Sequence, residues 1–279
     1  MRDPGRAVRF AKLHGAGNDF LVFDGKERPE LESRLEALVA RLCHRRTGLG
    51  ADGVLLLVPE GSARARVRYW NADGSGAAFC ANGTRCAARF AAAVWGWKEM
   101  VLGTGYAPIP AMVEGSQVAL DLPAPELVSP PLDLAIGGEA FGARFLVIGV
   151  PHVVVPVGWE DFWQRPLAPL APALRSHGDL GPGGANVNFV LGLGTGRLAV
   201  RSWERGVEGE TLSCGSGDVA AALVDAEGSG TAIVSVRTAS GRELTIEVLG
   251  VPPRCPVRLR GPAEWVADGE LAAELLAPR

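Results

Sequence analysis

Apolar positions along the chain fall into short alternating runs separated by Gly, Pro, Asn and Asp, the pattern of strands joined by tight turns. Runs at 8–12 and 20–23 flank the turn His14-Gly15-Ala16-Gly17-Asn18-Asp19. Further strands are expected at 54–58, 67–70, 118–120, 145–150, 232–238, 244–248 and 256–260. Gly149-Val150-Pro151-His152 reads as the end of one strand, with the next beginning at Val153. Few stretches carry a helical period. From 30 to 43, Leu31, Leu35, Leu38, Val39 and Leu42 recur at three- and four-residue intervals, which predicts one amphipathic helix. The alanine-rich run at 81–94 predicts a slim helix that strands can surround, Asp218-Val219-Ala220-Ala221-Ala222-Leu223 opens another, and a short one is expected near 171–176.

The two alanine-rich helices sit in similar settings. Arg68-Tyr69-Trp70-Asn71 leads through a turn to Cys80-Ala81-Asn82-Gly83, and Arg201-Ser202-Trp203-Glu204 leads through a turn to Cys214-Gly215-Ser216-Gly217. Trp70 precedes its cysteine by ten positions and Trp203 by eleven, so a strand, turn, cysteine and helix occur twice, which argues an internal duplication. Gly183-Gly184-Ala185-Asn186-Val187-Asn188-Phe189-Val190 reads as a second trace of it, matched to Gly15-Ala16-Gly17-Asn18-Asp19-Phe20-Leu21-Val22. The proline-rich stretch 123–131 marks the boundary. Residues 1–124 are expected to form a half carrying Cys80 and 125–265 a half carrying Cys214, with the tail 266–279 packing back on the first.

Composition narrows the function classes. With 279 residues, 47% hydrophobic, 21% charged and a net charge of −3, the chain has the balance of a soluble globular protein and no electrostatic bias toward nucleic acid. The first six residues lack the apolar core of a signal peptide and no apolar run is long enough to span a bilayer, so a cytoplasmic location without a membrane partner is expected. Five cysteines, at 43, 80, 86, 214 and 255, are too few and too scattered for a disulfide framework. The four histidines are equally scattered, and no metal site is expected. The glycine-bearing loop at 44–53 lacks the lysine-hydroxyl pair and the following helix of a phosphate loop.

The chemistry lies in the two cysteines that head glycine-bearing turns. A cysteine just before a helix start meets unpaired backbone N–H groups and the positive end of the helix dipole, which favours thiolate over thiol. The same N–H groups can cradle a carboxylate. Two such units facing each other would place one thiol on each side of a shared cleft. Cys43, Cys86 and Cys255 read instead as small buried hydrophobes. Plain readings also exist for His152 as a hydrogen bonder at the core edge, for Asn18 and Asn71 as turn formers, and for Glu204 and Arg205 as a solvated pair.

In His14-Gly15-Ala16-Gly17-Asn18-Asp19-Phe20, Asn71-Ala72-Asp73-Gly74-Ser75, Gly149-Val150-Pro151-His152, Asn186-Val187-Asn188-Phe189, and Glu204-Arg205-Gly206 through Cys214-Gly215-Ser216-Gly217, the chain resembles the diaminopimelate epimerase family. The resemblance implies an α+β fold of two pseudo-symmetric domains, each a curved, mainly antiparallel sheet around a central helix, and no cofactor. It implies interconversion of LL-2,6-diaminopimelate and meso-diaminopimelate, on the route to lysine and peptidoglycan. Cys80 and Cys214 would be the two bases. The backbone of Ala81, Asn82, Gly215 and Ser216 would hold the carboxylate at the reacting centre. Asn18, Asn71, Asn186, Glu204 and Arg205 would bind the remaining polar groups of this small-molecule substrate, and His152 and Glu204 would tune the thiol pKa values. Three positions depart from the family pattern: Ala81 where glycine is usual, Val150 where asparagine is frequent, and Gly53 where some members carry glutamine. The nearest rival is a proline or hydroxyproline racemase, whose usual histidine and proline are Asn82 and Ser213 here. A thiol hydrolase and a non-catalytic amino-acid binding protein are rivals of other classes, and the choice between monomer and homodimer stays open.

Overall fold

The order of strand pairings is the same in two parts of the chain. The computed structural model describes residues 8–26, 28 and 30–276. The N-terminal six residues, which carry the signal-peptide reading, lie outside the described residues, as do 277–279 of the tail. Two compact units emerge: Met1–Val118 with Pro262–Arg279, and Ala119–Gly261. In the first unit Arg9–Gly15 pairs antiparallel with Asn18–Asp24, which runs parallel to Gly53–Gly61, which pairs antiparallel with Arg64–Asn71. Arg64–Asn71 pairs antiparallel with the short Gly76–Ala77 and runs parallel to Glu99–Gly103, itself antiparallel to Pro108–Glu114. The late strand Glu264–Glu270 adds antiparallel to Arg9–Gly15. In the second unit Glu139–Ile148, Val150–Pro156, Asn186–Gly194, Arg197–Glu204, Gly209–Thr211, Ile233–Arg237 and Glu243–Val248 repeat that series of antiparallel and parallel pairings in the same order.

Each sheet bends around one helix. Ala81–Trp95 touches strands throughout the first unit, and Gly215–Ser229 does so in the second. The alanines explain how: Ala87, Ala88 and Ala91, and Ala220, Ala221, Ala222 and Ala226, are buried and let backbone come close on several sides. Both helices stop at a left-handed glycine, Gly96 with φ 75° and Gly230 with φ 70°, a conformation glycine adopts without strain. Side chains alternate across the strands. Leu21, Phe23, Val54, Leu56 and Trp70 face away from the central helix, onto a cluster with Leu31, Leu35, Val39 and Leu42. Val153, Val155, Val187 and Phe189 form the matching outer cluster with Phe162 and Leu174.

Register corrects three expectations. Leu21 pairs with Val54 and Val54 with Trp70; Val153 pairs with Val187 and Val187 with Trp203. Asn18-Asp19-Phe20 therefore corresponds to Val150-Pro151-His152, and Gly53-Val54-Leu55 to Asn186-Val187-Asn188. The second trace of duplication was matched one strand out of step, because a glycine turn followed by Asn and an apolar run describes two different strands equally well. Secondly, the strand break falls at Gly149, with φ 68°, and Val150–Pro156 is one strand through His152. Thirdly, the helix expected at 30–43 is two, Leu31–Glu36 and Val39–Cys43. Leu38 N–H bonds to the Leu35 carbonyl across a tighter turn, and both pieces still bury their leucines. Among the described residues no helix is long and apolar enough to cross a membrane.

Candidate active site

In the first unit Cys80 is the N-cap of its helix, with extended backbone (φ −147°, ψ 116°) before a helical turn. Gly83 N–H donates to its Sγ at 3.4 Å, and the Sγ–H donates to Asn18 Oδ1 at 3.6 Å. Asn82 Nδ2 donates to the same Oδ1 at 3.4 Å, while Asn82 Oδ1 accepts from the buried Arg85 at 2.8 Å. Asn18 Nδ2 donates to Asp52 Oδ2 at 2.9 Å. Asp52 in turn meets Arg45 at 2.7 Å, and Asp19 lies 2.8 Å from Arg45 and 3.0 Å from Lys12. Burial alone would raise the Asp19 pKa, but Arg45 and Lys12 outweigh it and hold the carboxyl below its ordinary range. Asn71 Oδ1 accepts from Tyr69 Oη at 2.7 Å, and its Nδ2 donates to Ser75 Oγ at 3.0 Å.

In the second unit Cys214 is buried at the equivalent N-cap (φ −117°, ψ 95°). Ser216 Oγ lies 3.9 Å from its Sγ and 3.0 Å from His152 Nε2. His152 is fully buried; desolvation, with Arg205 adding to it, pushes its pKa down to about 3, so the ring is neutral. Asn186 Oδ1 accepts from the Arg205 backbone N–H at 2.8 Å, and the exposed Arg205 guanidinium reaches the Gly183 carbonyl at 3.4 Å. Glu204 Oε1 accepts from Thr211 Oγ1 at 2.5 Å. Cys43, Cys86 and Cys255 are buried thiols, and burial raises all three, Cys43 to about 12. Among the described residues no group of three or more His, Cys, Asp and Glu side chains is placed to hold a metal ion.

The three departures have local explanations. Ala81 lies in the right-handed first turn of its helix, where a methyl is harmless. A Cβ on Gly53 would stand 2.7 Å from both Tyr69 Cε2 and the Trp70 carbonyl, so Tyr69 fills the place of a side chain there. Val150 holds in its unit the place that Asn18 holds in the other, as Gly53 does relative to Asn186. The first unit thus carries Asn18 and Asn71 at strand ends, and the second carries Asn186 on the strand equivalent to that of Gly53.

A family model described as diaminopimelate epimerase matches residues 10–99 and 145–266. The chain belongs to the diaminopimelate epimerase family. Diaminopimelate epimerase of Gemmatimonas aurantiaca is 39% identical over 95% of this chain and 99% of its own, and that of Aquifex aeolicus 38% over 96% and 99%. Among solved structures, a hydroxyproline epimerase from Agrobacterium vitis superposes with TM-score 0.70 at 18% identity, covering 97% of this chain and 94% of its own. A Bacillus anthracis protein of the PhzF phenazine biosynthesis family gives 0.71 at 14%, covering 96% and 100%. At such identities these two speak to the fold alone, the α+β arrangement of two similar sheet-and-helix domains that the diaminopimelate epimerase family shares with them.

Sequence reasoning passed over side chains that touch the epimerase candidates. Asp52 and Arg45 hold Asn18, yet they sit in a loop read only as a failed phosphate site. Asn188 and Ser202 contact each other and, through Asn188, His152. The signal was there for Asn188: Asn186 and Asn188 are two polar residues at alternate positions in an otherwise apolar strand, where buried polar groups need partners.

Proposed function

We propose that the protein is a cofactor-independent epimerase that interconverts LL- and meso-diaminopimelate by two-base proton transfer between thiols. The observation that carries this is the placing of Cys80 and Cys214 at equivalent N-caps of the two central helices, in a chain of this family. Inverting a carbon requires removal of its proton from one face and delivery of another to the opposite face, so one sulfur starts as thiolate and the other as thiol. The carbanion formed beside the α-carboxylate is stabilised by N–H donors of the helix starts, at Ala81 and Asn82 and at Gly215 and Ser216, and by exclusion of water. Asn18, Asn71 and Asn186 bind polar groups of the diamino diacid. Glu204 takes an ammonium, and the planar fork of Arg205 suits the distal carboxylate. A reducing cytoplasm suits this chemistry, because it keeps both sulfurs out of disulfides.

The hydroxyproline epimerase resembles the chain in fold only, and its substrate has no distal ammonium or carboxylate for Glu204 and Arg205 to recognise. The deciding experiment is solvent deuterium uptake at the α-carbon of LL- and meso-diaminopimelate by reduced protein with nothing added. Exchange with the diamino diacid and none with proline or hydroxyproline is expected. No exchange with either diaminopimelate isomer would remove the assignment.

A further inference from the structure

Tyr69 stands two residues before Asn71 on one strand, so both side chains project from the same face of the sheet. On the neighbouring strand Gly53 pairs with Asn71 and Leu55 with Tyr69. The Tyr69 ring lies over Gly53 and edge-on to Phe20, and only a residue without a Cβ leaves it that room. A methyl at 53 would stand 2.7 Å from Tyr69 Cε2 and as close to the Trp70 carbonyl, which the strand pairing holds in place. From this seat the Tyr69 hydroxyl reaches Asn71 Oδ1, 2.7 Å away. The same residue walls a cavity together with Leu55, Thr84 and Cys80. Tyr69 thus stands between the turn that carries Asn71 and the surroundings of the cysteine.

The direction of that hydrogen bond follows from the far end of the turn. The Ser75 hydroxyl and backbone N–H hold the exposed Asp73 carboxyl below its ordinary range, so it is ionised and only accepts. Ser75 therefore gives its one hydroxyl hydrogen to Asp73 Oδ1, at 2.6 Å. Its Oγ is left to accept from Asn71, which puts the NH₂ of the amide on the Ser75 side at 3.0 Å. Oδ1 is then the atom turned to Tyr69, and the phenol donates to it. Gripped by Ser75 alone, the amide would be held at one end; gripped by both hydroxyls, it stands one way round. The backbone of the turn has bonds of its own. Asn71 N–H reaches the Ser75 carbonyl at 2.9 Å, and Gly74 N–H reaches the Asn71 carbonyl at 2.9 Å. What the phenol adds to them is the orientation of a side chain.

We infer that Tyr69 is a positioning residue whose hydroxyl, given room by Gly53, fixes the Asn71 amide for the polar group of the diamino diacid that Asn71 binds. It thereby sets how tightly substrate is held and takes no part in proton transfer. The inference rests on the proposed epimerase reading, and one arm of its test needs no turnover.

Tyr69→Phe keeps the ring over Gly53 and removes only the hydroxyl. In reduced full-length protein it should raise KM for LL-diaminopimelate about tenfold and change kcat by less than about twofold, the pattern of lost binding with the chemistry intact. A hydroxyl that served the fold alone would lower the urea midpoint and leave KM in place. Asn71→Ala should raise KM at least as much. Adding Tyr69→Phe to it should then change KM by no more than about twofold, because the phenol has no amide left to hold. Without substrate, Tyr69→Phe should move the side-chain NH₂ signals of Asn71 in 15N spectra, assigned by their loss in Asn71→Ala, and leave those of Asn186 in place. A KM unmoved by Tyr69→Phe, a fall in kcat as large as the rise in KM, effects that multiply in the double variant, or unmoved Asn71 signals would each overturn the inference. The α-deuterium assay on the unaltered protein separates the two failures: exchange with a KM indifferent to Tyr69→Phe removes only the role of Tyr69, and no exchange removes the epimerase reading.

Discussion

The floor beneath the Cys80 helix and the floor beneath the Cys214 helix occupy equivalent positions and are made of opposite materials. Under Gly83 lie Phe20 and Leu55, each 3.4 Å from where a Cβ would stand, with Tyr69 edge-on to Phe20 at 5.9 Å between ring centroids. At the corresponding places in the other unit are His152, Asn188 and Ser202, a buried polar group whose members bond to one another. An apolar floor holds a helix by contact and is indifferent to protons. A polar floor must satisfy every donor and acceptor, and so it dictates which atom carries each hydrogen. Two units with one strand plan thus seat their cysteine-headed helices on unlike floors.

The sharpest test of that pairing is on the sulfurs themselves. If both cysteines act on one carbon, Cys80→Ala and Cys214→Ala should each lower kcat for epimerisation by about 10²–10⁴ or more, the range for loss of a positioned acid or base. A hydrolase with a single working thiol would be hurt by one replacement only, and a binding protein by neither. Retention of epimerisation after either change would dissolve the comparison, because the two floors would then no longer flank partners in one reaction.

Next in size is a glycine. Gly217→Ala places a methyl against the Asn188 amide, which the Val153 carbonyl and Ser202 hold from the other side. Overpacking of this kind costs about 1–3 kcal/mol, read as a lower urea midpoint, and it should also disturb the hydrogen bond to His152. An unchanged midpoint would mean that the amide does not lie under the first helical turn.

The polar floor also makes stability depend on pH in a way the apolar one cannot. His152 is held neutral with a pKa near about 3, against about 6.5 for an unfolded histidine. Between those values the unfolded chain binds a proton that the native chain refuses, so stability is full above about pH 6.5 and falls as pH drops toward about 3, by up to ~1.4 kcal/mol per pH unit. His152→Gln should flatten that part of the stability curve, measured by denaturant titration at successive pH values. Phe20→Leu, at the equivalent place in the first unit, should shift the curve without changing its slope.

How much of this was legible beforehand follows from what each signal encodes. Alanine-rich helices headed by cysteine and preceded by Arg-x-Trp strands were readable, because small residues, glycine turns and N-caps each have a local cause. Helix limits came close: 81–94 expected, Ala81–Trp95 found. Register between strands is set by pairing partners far away in sequence, so the match of Asn186 with Asn18 misled: Asn186 lies on the strand equivalent to that of Gly53. The same distance hid Asp52 and Asn188. Their significance is a hydrogen bond to a residue on another strand, and no local spacing records the direction of an amide.

The smallest expected effect closes the comparison from the apolar side. At Gly83 an added methyl would meet Leu55 Cδ2 and the Phe20 ring edge at 3.4 Å, ordinary van der Waals distance, and the residue is helical with its N–H still free to donate to Cys80. Alanine loses less backbone entropy than glycine on entering a helix, a gain of about 0.5–1 kcal/mol. Gly83→Ala should therefore raise the urea midpoint slightly or leave it unchanged, where the same change at Gly217 lowers it. Equal destabilisation at both sites would show that each first turn needs glycine for its own backbone. The difference between the floors would then be incidental to how the two cysteine helices are seated.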